Sequence, residues 1–428
     1  MQKEKKTSLN KKIHILHITP HLGGGVGKAI KGIISESEKI DPRFYHEIVC
    51  LEKLKKNIFN KSKKNKERIS IFANIKKLNE KILNCDILQV EFWNHPLIPW
   101  LLTKKLVKNR LSFWCHILGT NYPNIPKKIY TLSDKFFCTS NVTLKRLINN
   151  KIKNKLSFIS SAGDIQKLKR VRNQNKMKLF YVGTLNFAKL NKKITEYIKA
   201  IPEKKLHFDF FGDEINKKYI QKNLKIKNKK ITTEFHGYEK NLEKKLNSHN
   251  ILLYLLNTNH YGTGENALVE CMAMGIIPIV LNNPTEKTIV KNLRNGFVIK
   301  NISDFVKVYH KLKNNKKLRN LLSKNAIKDS QKKYNYKLAA LKFHREYFKM
   351  MKREKTLKNF DNIFGQNSFD WFTSFTNLDY KNNERAINKF INKNKDSLND
   401  KTKGSPKHFF KYFQNKDLKN FIKKVSND

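Results

Sequence analysis

The chain has 428 residues, 39% of them hydrophobic, and its 28 Phe and 15 Tyr are ample for two buried cores, which excludes global disorder. Basic residues outnumber acidic ones 89 to 35, a formal net charge of +54, and only eleven of the 89 are Arg. A surplus carried by Lys gives diffuse attraction to polyanions, so an anionic membrane surface is a more expected partner than nucleic acid, whose base-edge readout favours Arg. Five scattered cysteines (Cys50, Cys85, Cys115, Cys138, Cys271) form no CxxC pair. Neither a zinc site nor a disulfide framework is expected, and they read as reduced core residues of a cytoplasmic protein. The polar start, MQKEKKTSLNKK, has no apolar stretch behind it, so no signal peptide is expected. No run reaches the roughly 20 apolar residues of a spanning helix. The expected location is the cytoplasm, with the inner face of the membrane reached through charge.

In chain order, a first strand, Ile13–Thr19, runs into PHLGGGVGKAIKGII, a Gly-rich turn entering a helix. Strand-like runs recur at Tyr45–Leu51, Ile69–Ala73, Asp86–Trp93, Leu111–Leu118, Lys135–Ser140 and Leu156–Ala162. Helical or charged segments separate them, which predicts a mostly parallel α/β domain over residues 1–170. The polar stretch Asp164–Lys178 reads as a linker. A second alternating series follows: Lys178–Leu185, Leu206–Asp213, Thr232–Gly237, Asn250–Leu256, Ile276–Leu281 and Gly296–Ile299. Helices between Ser303 and Lys349 are expected to close this second domain, residues 171–350. Two doubly wound domains facing each other across a cleft is the architectural expectation.

Residues 351–428 form a basic helical extension with an aromatic patch, Phe369–Tyr380. Its last amphipathic helix is expected to start with Ser405 as N-cap and Pro406 at the first helical position. Leu418, Phe421, Ile422 and Val425 fall at helical spacing. Packing on the domains is favoured over docking to a membrane or partner.

Several residues carry potential chemistry. Gly23, Gly24, Gly25 and Gly27 let backbone amides approach a phosphate or sugar, although a bare strand-to-helix turn gives the same pattern. Lys28 lies just inside that helix. His116, at the end of the LSFWCHIL strand, is a candidate to bind a sugar hydroxyl or phosphate, the alternative being a satisfied structural histidine. Glu91, Asn94 and His95 occupy the analogous strand end one unit earlier. In VGTLNFAKL the strand ends at Gly183, and Lys189 falls near the expected start of a helix, where it would neutralise a departing diphosphate. The stretch NHYGTGENALVECMAMGIIP, Asn259–Pro278, has a small-residue loop, Gly262, Thr263 and Gly264. That loop leads through Glu265 and Asn266 into a helix opening at Ala267. Its N-terminal amides suit a diphosphate, and Glu270, one turn in, suits a ribose hydroxyl pair. Without HExxH, DxD or a His/Cys cluster, no metal is called for.

The Gly-rich first turn, VGTL…K, FFGDE (Phe210–Glu214), FHGY (Phe235–Tyr238) and the ENALVECMAMGIIPIV block together resemble the GT-B glycosyltransferases, most of all the group 1, GT4-like retaining family. The resemblance spans Ile13 to Lys349. It implies a nucleoside diphosphate sugar as donor, bound mainly by the second domain, and no other cofactor. The acceptor, a glycan or a lipid-linked glycan, would sit mainly on the first domain.

In that family two glutamates eight positions apart flank the donor. The second maps onto Glu270, while Gly262 stands where the first is due, and Glu265 is the candidate to replace it. Of the family's Arg and Lys at the diphosphate, Lys189 matches the Lys and Thr184 takes the place of the Arg. The resemblance thus assigns catalytic work to His116, Lys189 and Glu265. Donor contacts fall to Gly23, Gly24, Gly25, Thr184, Gly264, Asn266, Ala267 and Glu270. The implied activity is hexosyl transfer in bacterial surface glycan assembly, lipopolysaccharide or capsule. The alternative is a catalytically inactive GT-B shell acting as a basic scaffold.

Overall fold

The computed structural model describes residues 12–53, 68–165, 168–171, 176–239, 241–380 and 383–427. The polar N-terminal stretch and much of the expected linker lie outside these residues. The chain divides into two compact units, Met1–Ser161 with Tyr336–Asp428, and Ala162–Asn335.

The first unit is built on seven strands: β1 (Ile13–Thr19), β2 (Phe44–Cys50), β3 (Ile69–Ile71), β4 (Ile87–Phe92), β5 (Leu111–Cys115), β6 (Lys135–Cys138) and β7 (Leu156–Phe158). They pair in the order β3-β2-β1-β4-β5-β6-β7, every pair parallel. β4, β5 and β6 are buried at every residue, as expected of parallel strands covered by helices on both faces. The order reverses between β1 and β4, which opens a crevice beyond their carboxyl ends.

The second unit repeats this plan with β8 (Leu179–Val182), β9 (Lys205–Phe211), β10 (Lys230–Phe235), β11 (Ile251–Tyr254), β12 (Ile277–Leu281) and β13 (Phe297–Ile299). Their order is β10-β9-β8-β11-β12-β13, again all parallel, with the reversal between β8 and β11. Each expected strand is present, shortened mainly at its carboxyl end. Polar ends such as Thr139 and Ser140 leave the ladder to begin loops and helix caps, Ser140 accepting the Val142 N–H. Gly275, at φ 82, follows the end of the helix Asn266–Ala273, and Pro278 lies inside β12.

The division differs from the expected boundaries in two respects. The helix Tyr336–Met351 belongs to the first unit. Its Tyr336, Ala340, Phe343 and Tyr347 share a core with Ile15, Ile30 and Phe44. A Cβ on Gly32, in the helix Gly24–Ile40, would meet the Tyr336 ring at 2.1 Å, so the two helices are in close contact there.

Residues 351–428 are likewise no separate body. Phe360, Phe372, Phe375, Phe409 and Leu418 lie in one apolar cluster with Leu88, Phe92 and Phe113 of the sheet. Ser405 caps a short helix, Pro406–Tyr412, and the amphipathic stripe sits on a second helix, Lys416–Asn427. Leu418, Phe421 and Val425 are buried, so the stripe packs on this unit. No helix among the described residues is long and apolar enough to cross a membrane.

All four Trp residues (Trp93, Trp100, Trp114, Trp371) belong to the first unit, so Trp fluorescence reports that unit alone. Leu418 is fully buried. Leu418→Ala is expected to cost the first unit about 2–5 kcal/mol in urea unfolding followed by Trp fluorescence. An unchanged midpoint would contradict the shared core.

Candidate functional site

In the second unit the chemistry gathers beyond the carboxyl ends of β8 and β11, the strands that flank the reversal. After β11 the chain passes through residues 255–264 to Glu265, which sits at φ 41, left-handed for a non-glycine residue, and caps the helix Asn266–Ala273. That conformation costs on the order of 1–3 kcal/mol and persists only where neighbours hold it. Here the neighbours hold the carboxylate. Glu265 Oε2 lies 3.0 Å from Lys189 Nζ and accepts the Tyr254 hydroxyl. Burial opposes charge on both partners, but their mutual attraction prevails, holding the Glu265 carboxyl below its ordinary value and the Lys189 amine above its own.

The other oxygen, Glu265 Oε1, has no hydrogen-bond donor among the described residues. It fills the space beside Gly262, where a Cβ would meet it at 2.0 Å. A side chain at position 262 and the Glu265 carboxylate therefore compete for one volume. His260 braces this loop. Its Nδ1 accepts the Gly262 N–H at 3.0 Å, and its Nε2 lies 2.9 Å from Oε1 of the buried Glu286.

Across the reversal, the loop after β8 begins with Gly183 at φ 147. The Thr184 hydroxyl donates to Asp213, which also accepts the Leu185 N–H at 3.2 Å. Lys189 lies within this loop, short of the helix Ile194–Lys199, and not at a helix start as the sequence suggested. The loop folds back because the Lys189 and Leu190 N–H groups both donate to Asn186 O, and it is the ion pair that brings Lys189 to Glu265.

The downstream helix opens at Asn266, one residue before the expected Ala267, and no side chain caps it. Its first-turn amides at Asn266, Ala267 and Leu268 have no acceptor within the helix itself. Gly264 is buried beside them, and Glu270 is half-buried one turn further on. Gly264, Glu265, Asn266, Ala267 and Glu270 thus fall within one loop–helix, Lys189 reaches it from the loop after β8 through the ion pair, and Thr184 is tied to Asp213.

In the first unit, His116 follows β5 directly, and its Nε2 lies 3.0 Å from Glu91 Oε2. Glu91 is fully buried within β4, and its Oε1 faces His17 Nδ1 and Gln89 Nε2, both at 3.0 Å. Burial pushes the Glu91 carboxyl up, but the bonds to His116 and His17 outweigh it and leave it below the ordinary value. Glu91 is therefore the anchor of His116. Behind it a chain of contacts runs from His17 to His46 at 2.9 Å, to Ser37 at 2.8 Å and to His344 at 2.6 Å.

Gly23 is the N-cap of the helix Gly24–Ile40, so Gly24 (φ 62) and Gly25 form its first turn. Gly27 serves packing, since a Cβ there would meet Leu22 O at 2.1 Å. Asn94 donates to Lys403 O at 2.8 Å and His95 faces Glu52, so neither joins His116.

Among the described residues, three sets of His and acidic side chains are close enough to hold a metal ion: His21 with Glu52 and His95, His207 with Asp209 and Glu234, and His260 with Glu265 and Glu286. In the first and third of these, Nδ1 of His21, His95 and His260 accepts a backbone N–H two residues on. Asp209 is engaged by His236 at 2.7 Å and His249 at 2.8 Å.

Sequence reasoning missed His17, Glu52, Asp213, His260 and Glu286. Glu286 carried a local signal, three residues after Asn283 with Pro284 between, as at a helix start. The others meet their partners across tens of residues and leave no spacing to read.

No curated protein sequence matches the chain. Residues 164–329 match the family described as Glycosyl transferases group 1. Among solved structures, a glycosyltransferase from Rickettsia africae ESF-5 superposes with a TM-score of 0.62 at 16% identity, over 80% of this chain and 99% of that one. HepE of Anabaena in complex with UDP-glucose gives 0.63 at 11% identity, over 79% and 100%. The lipopolysaccharide outer core galactosyltransferase WaaB gives 0.56 at 17%, over 79% and 99%. At these identities the likeness is one of fold.

Removing one partner of a buried ion pair strands the other charge. Lys189→Met is expected to destabilise the second unit by about 3–5 kcal/mol, and Lys189→Met/Glu265→Gln to recover most of that loss, in urea unfolding followed by circular dichroism. Equal losses in the single and double variants would show that the pair does not hold the loop.

Proposed function

We propose that the chain, whose residues 164–329 match the group 1 glycosyltransferases, is a GT-B glycosyltransferase that moves a sugar from a nucleoside diphosphate to an acceptor hydroxyl with retention of anomeric configuration. The observation that carries this reading is the Glu265 carboxylate. Its Oε1, without a hydrogen-bond donor among the described residues and 3.9 Å from His260 Nδ1, stands beside Gly262, the position at which the family's first donor glutamate is due. One carboxylate is thereby supplied from three residues further along the loop. The rival reading, a GT-B shell without turnover, rests on Gly262 alone, and this replacement speaks against it.

In the proposed reaction the amides of Gly264, Glu265, Asn266 and Ala267, with Lys189, stabilise the leaving diphosphate as its charge develops. Glu270 holds the ribose, and Glu265 Oε1 accepts from a hydroxyl of the transferred sugar. On the first unit, His116, oriented by Glu91, and the turn Gly23–Gly25 are the proposed sugar contacts. The departing phosphate takes the acceptor proton, so no separate base is needed, and no cofactor or metal enters beyond the donor.

WaaB acts on lipopolysaccharide outer core, and a bacterial surface glycan, lipid-linked or not, is the acceptor proposed here. The surplus of positive charge would hold the protein at the inner face of an anionic membrane from the cytoplasm. Nucleic acid is not a proposed partner.

A panel of UDP-, GDP- and ADP-sugars tests the reading by thermal shift and by transfer. One donor present at a hundredfold its Kd is expected to add about 2.7 kcal/mol of stability to the wild type. Glu270→Ala is expected to lose that gain and to cut transfer by orders of magnitude. A wild type that no nucleotide sugar stabilises would overturn the proposal.

A further inference from the structure

Four adjacent strands of the first unit, β2, β1, β4 and β5, each release a side chain with chemistry within three residues of their carboxyl ends: Glu52, His21, Trp93 with His95, and His116. They flank the reversal between β1 and β4, where doubly wound sheets receive ligands. Trp93 is half-exposed and sits edge-to-face with His21 at 5.6 Å, His95 at 6.1 Å and His116 at 6.0 Å.

The C-terminal extension completes this group. The Tyr412 hydroxyl donates to Glu52, whose Oε1 also lies 3.3 Å from His95 Nε2. The His408 ring stands 4.8 Å from that of His95. The segment is tied down on the same sheet edge, since Gly404 N–H donates to His408 Nδ1 at 3.0 Å and Tyr122 OH to Gly404 O at 2.8 Å. A Cβ on Gly404 (φ 72) would meet Asn94 O at 1.9 Å, so only glycine fits that approach.

The charges set what such a group accepts. Burial pushes the Glu52 carboxyl up, but the bonds from His95 and Tyr412 outweigh it and hold it at about 2, so it is ionised at neutral pH. Burial, then the neighbouring His95, holds His408 at about 3, and burial also lowers His95, so both are neutral. His21 accepts the Gly23 N–H at Nδ1. Within a strongly basic chain this edge presents an ionised carboxylate and an indole. Lys411 lies over the Tyr412 ring at 5.8 Å.

We propose that Glu52, His21 and Trp93, with Tyr412 and His408 of the C-terminal extension, form a subsite for an uncharged sugar ring of the acceptor. Glu52 accepts from a hydroxyl of the ring, and Trp93 packs on its C–H face. The extension acts as a specificity element, because Tyr412 fixes the carboxylate. This subsite rests on the glycosyltransferase reading for its role as acceptor site, but not for its chemistry.

The test is saturation-transfer NMR of the full chain with methyl hexosides and the matching hexuronides, alongside thermal shifts with nucleotide sugars on the same samples. At least one methyl hexoside is expected to bind wild type better than its hexuronide. Glu52→Gln and the milder Tyr412→Phe are each expected to weaken it roughly tenfold, as losing a hydrogen bond to a charged group does. The proposal is overturned if no hexoside binds, if hexuronides bind better, or if both variants bind as wild type does. Nucleotide stabilisation without hexoside binding removes the subsite alone. Hexoside binding that depends on Glu52, without nucleotide stabilisation, removes the proposed function and leaves the subsite standing.

Discussion

A carboxylate taken out of water must find partners or lose its charge, and each unit of this chain is arranged around one such group. Glu91 in the first unit and Glu265 in the second are both buried, each beside the reversal of a parallel sheet. The effective penalty for burying an ion is several kcal/mol, so the neighbours of each group are under strong constraint. Glu91 thereby sets the orientation of His116 and draws in His17. Glu265 draws Lys189 out of a different loop and sustains a backbone conformation that a non-glycine residue would otherwise leave. In both units the carboxylate orders the loops at the edge where ligands meet a doubly wound sheet.

Much of the fold was legible in the sequence because parallel strands covered on both faces read as apolar runs, and IHILHIT or IIPIVL is hard to read otherwise. Helices were less informative about their destination. The stripe of Tyr336–Met351 shows which face is apolar but not which sheet it covers, and chain order suggested the nearer domain. The same limit concealed that Phe409 and Leu418 complete the core of a sheet some 300 residues upstream. Ser405 and Pro406 were rightly read as a helix start, but the stripe around Leu418 belongs to the next helix.

The site was legible where its residues are neighbours in sequence. Gly262, Glu265, Asn266 and Glu270 lie in one loop–helix, and their order exposed the anomaly at Gly262 and made Glu265 the candidate to replace the missing glutamate. What could not be read was contact between distant loops: Lys189 with Glu265, His17 with Glu91, or Tyr412 with Glu52. The first two follow from sheet order, since the strands beside them are adjacent in space while separated in the chain, and Tyr412 reaches Glu52 from the helix Pro406–Tyr412. Glycine marked close approach in several places, but only the structure shows what approaches, a carboxylate at Gly262 and the backbone of Asn94 at Gly404.

The account depends on the loop–helix of the second unit being the place where the donor's diphosphate and ribose are held. A crystal structure with a bound nucleoside diphosphate tests that most directly. The account predicts phosphate oxygens within hydrogen-bond distance of the amides at the start of Asn266–Ala273 and of Lys189, with the ribose hydroxyls on Glu270. A nucleotide bound elsewhere in the second unit, with those groups untouched, would contradict it.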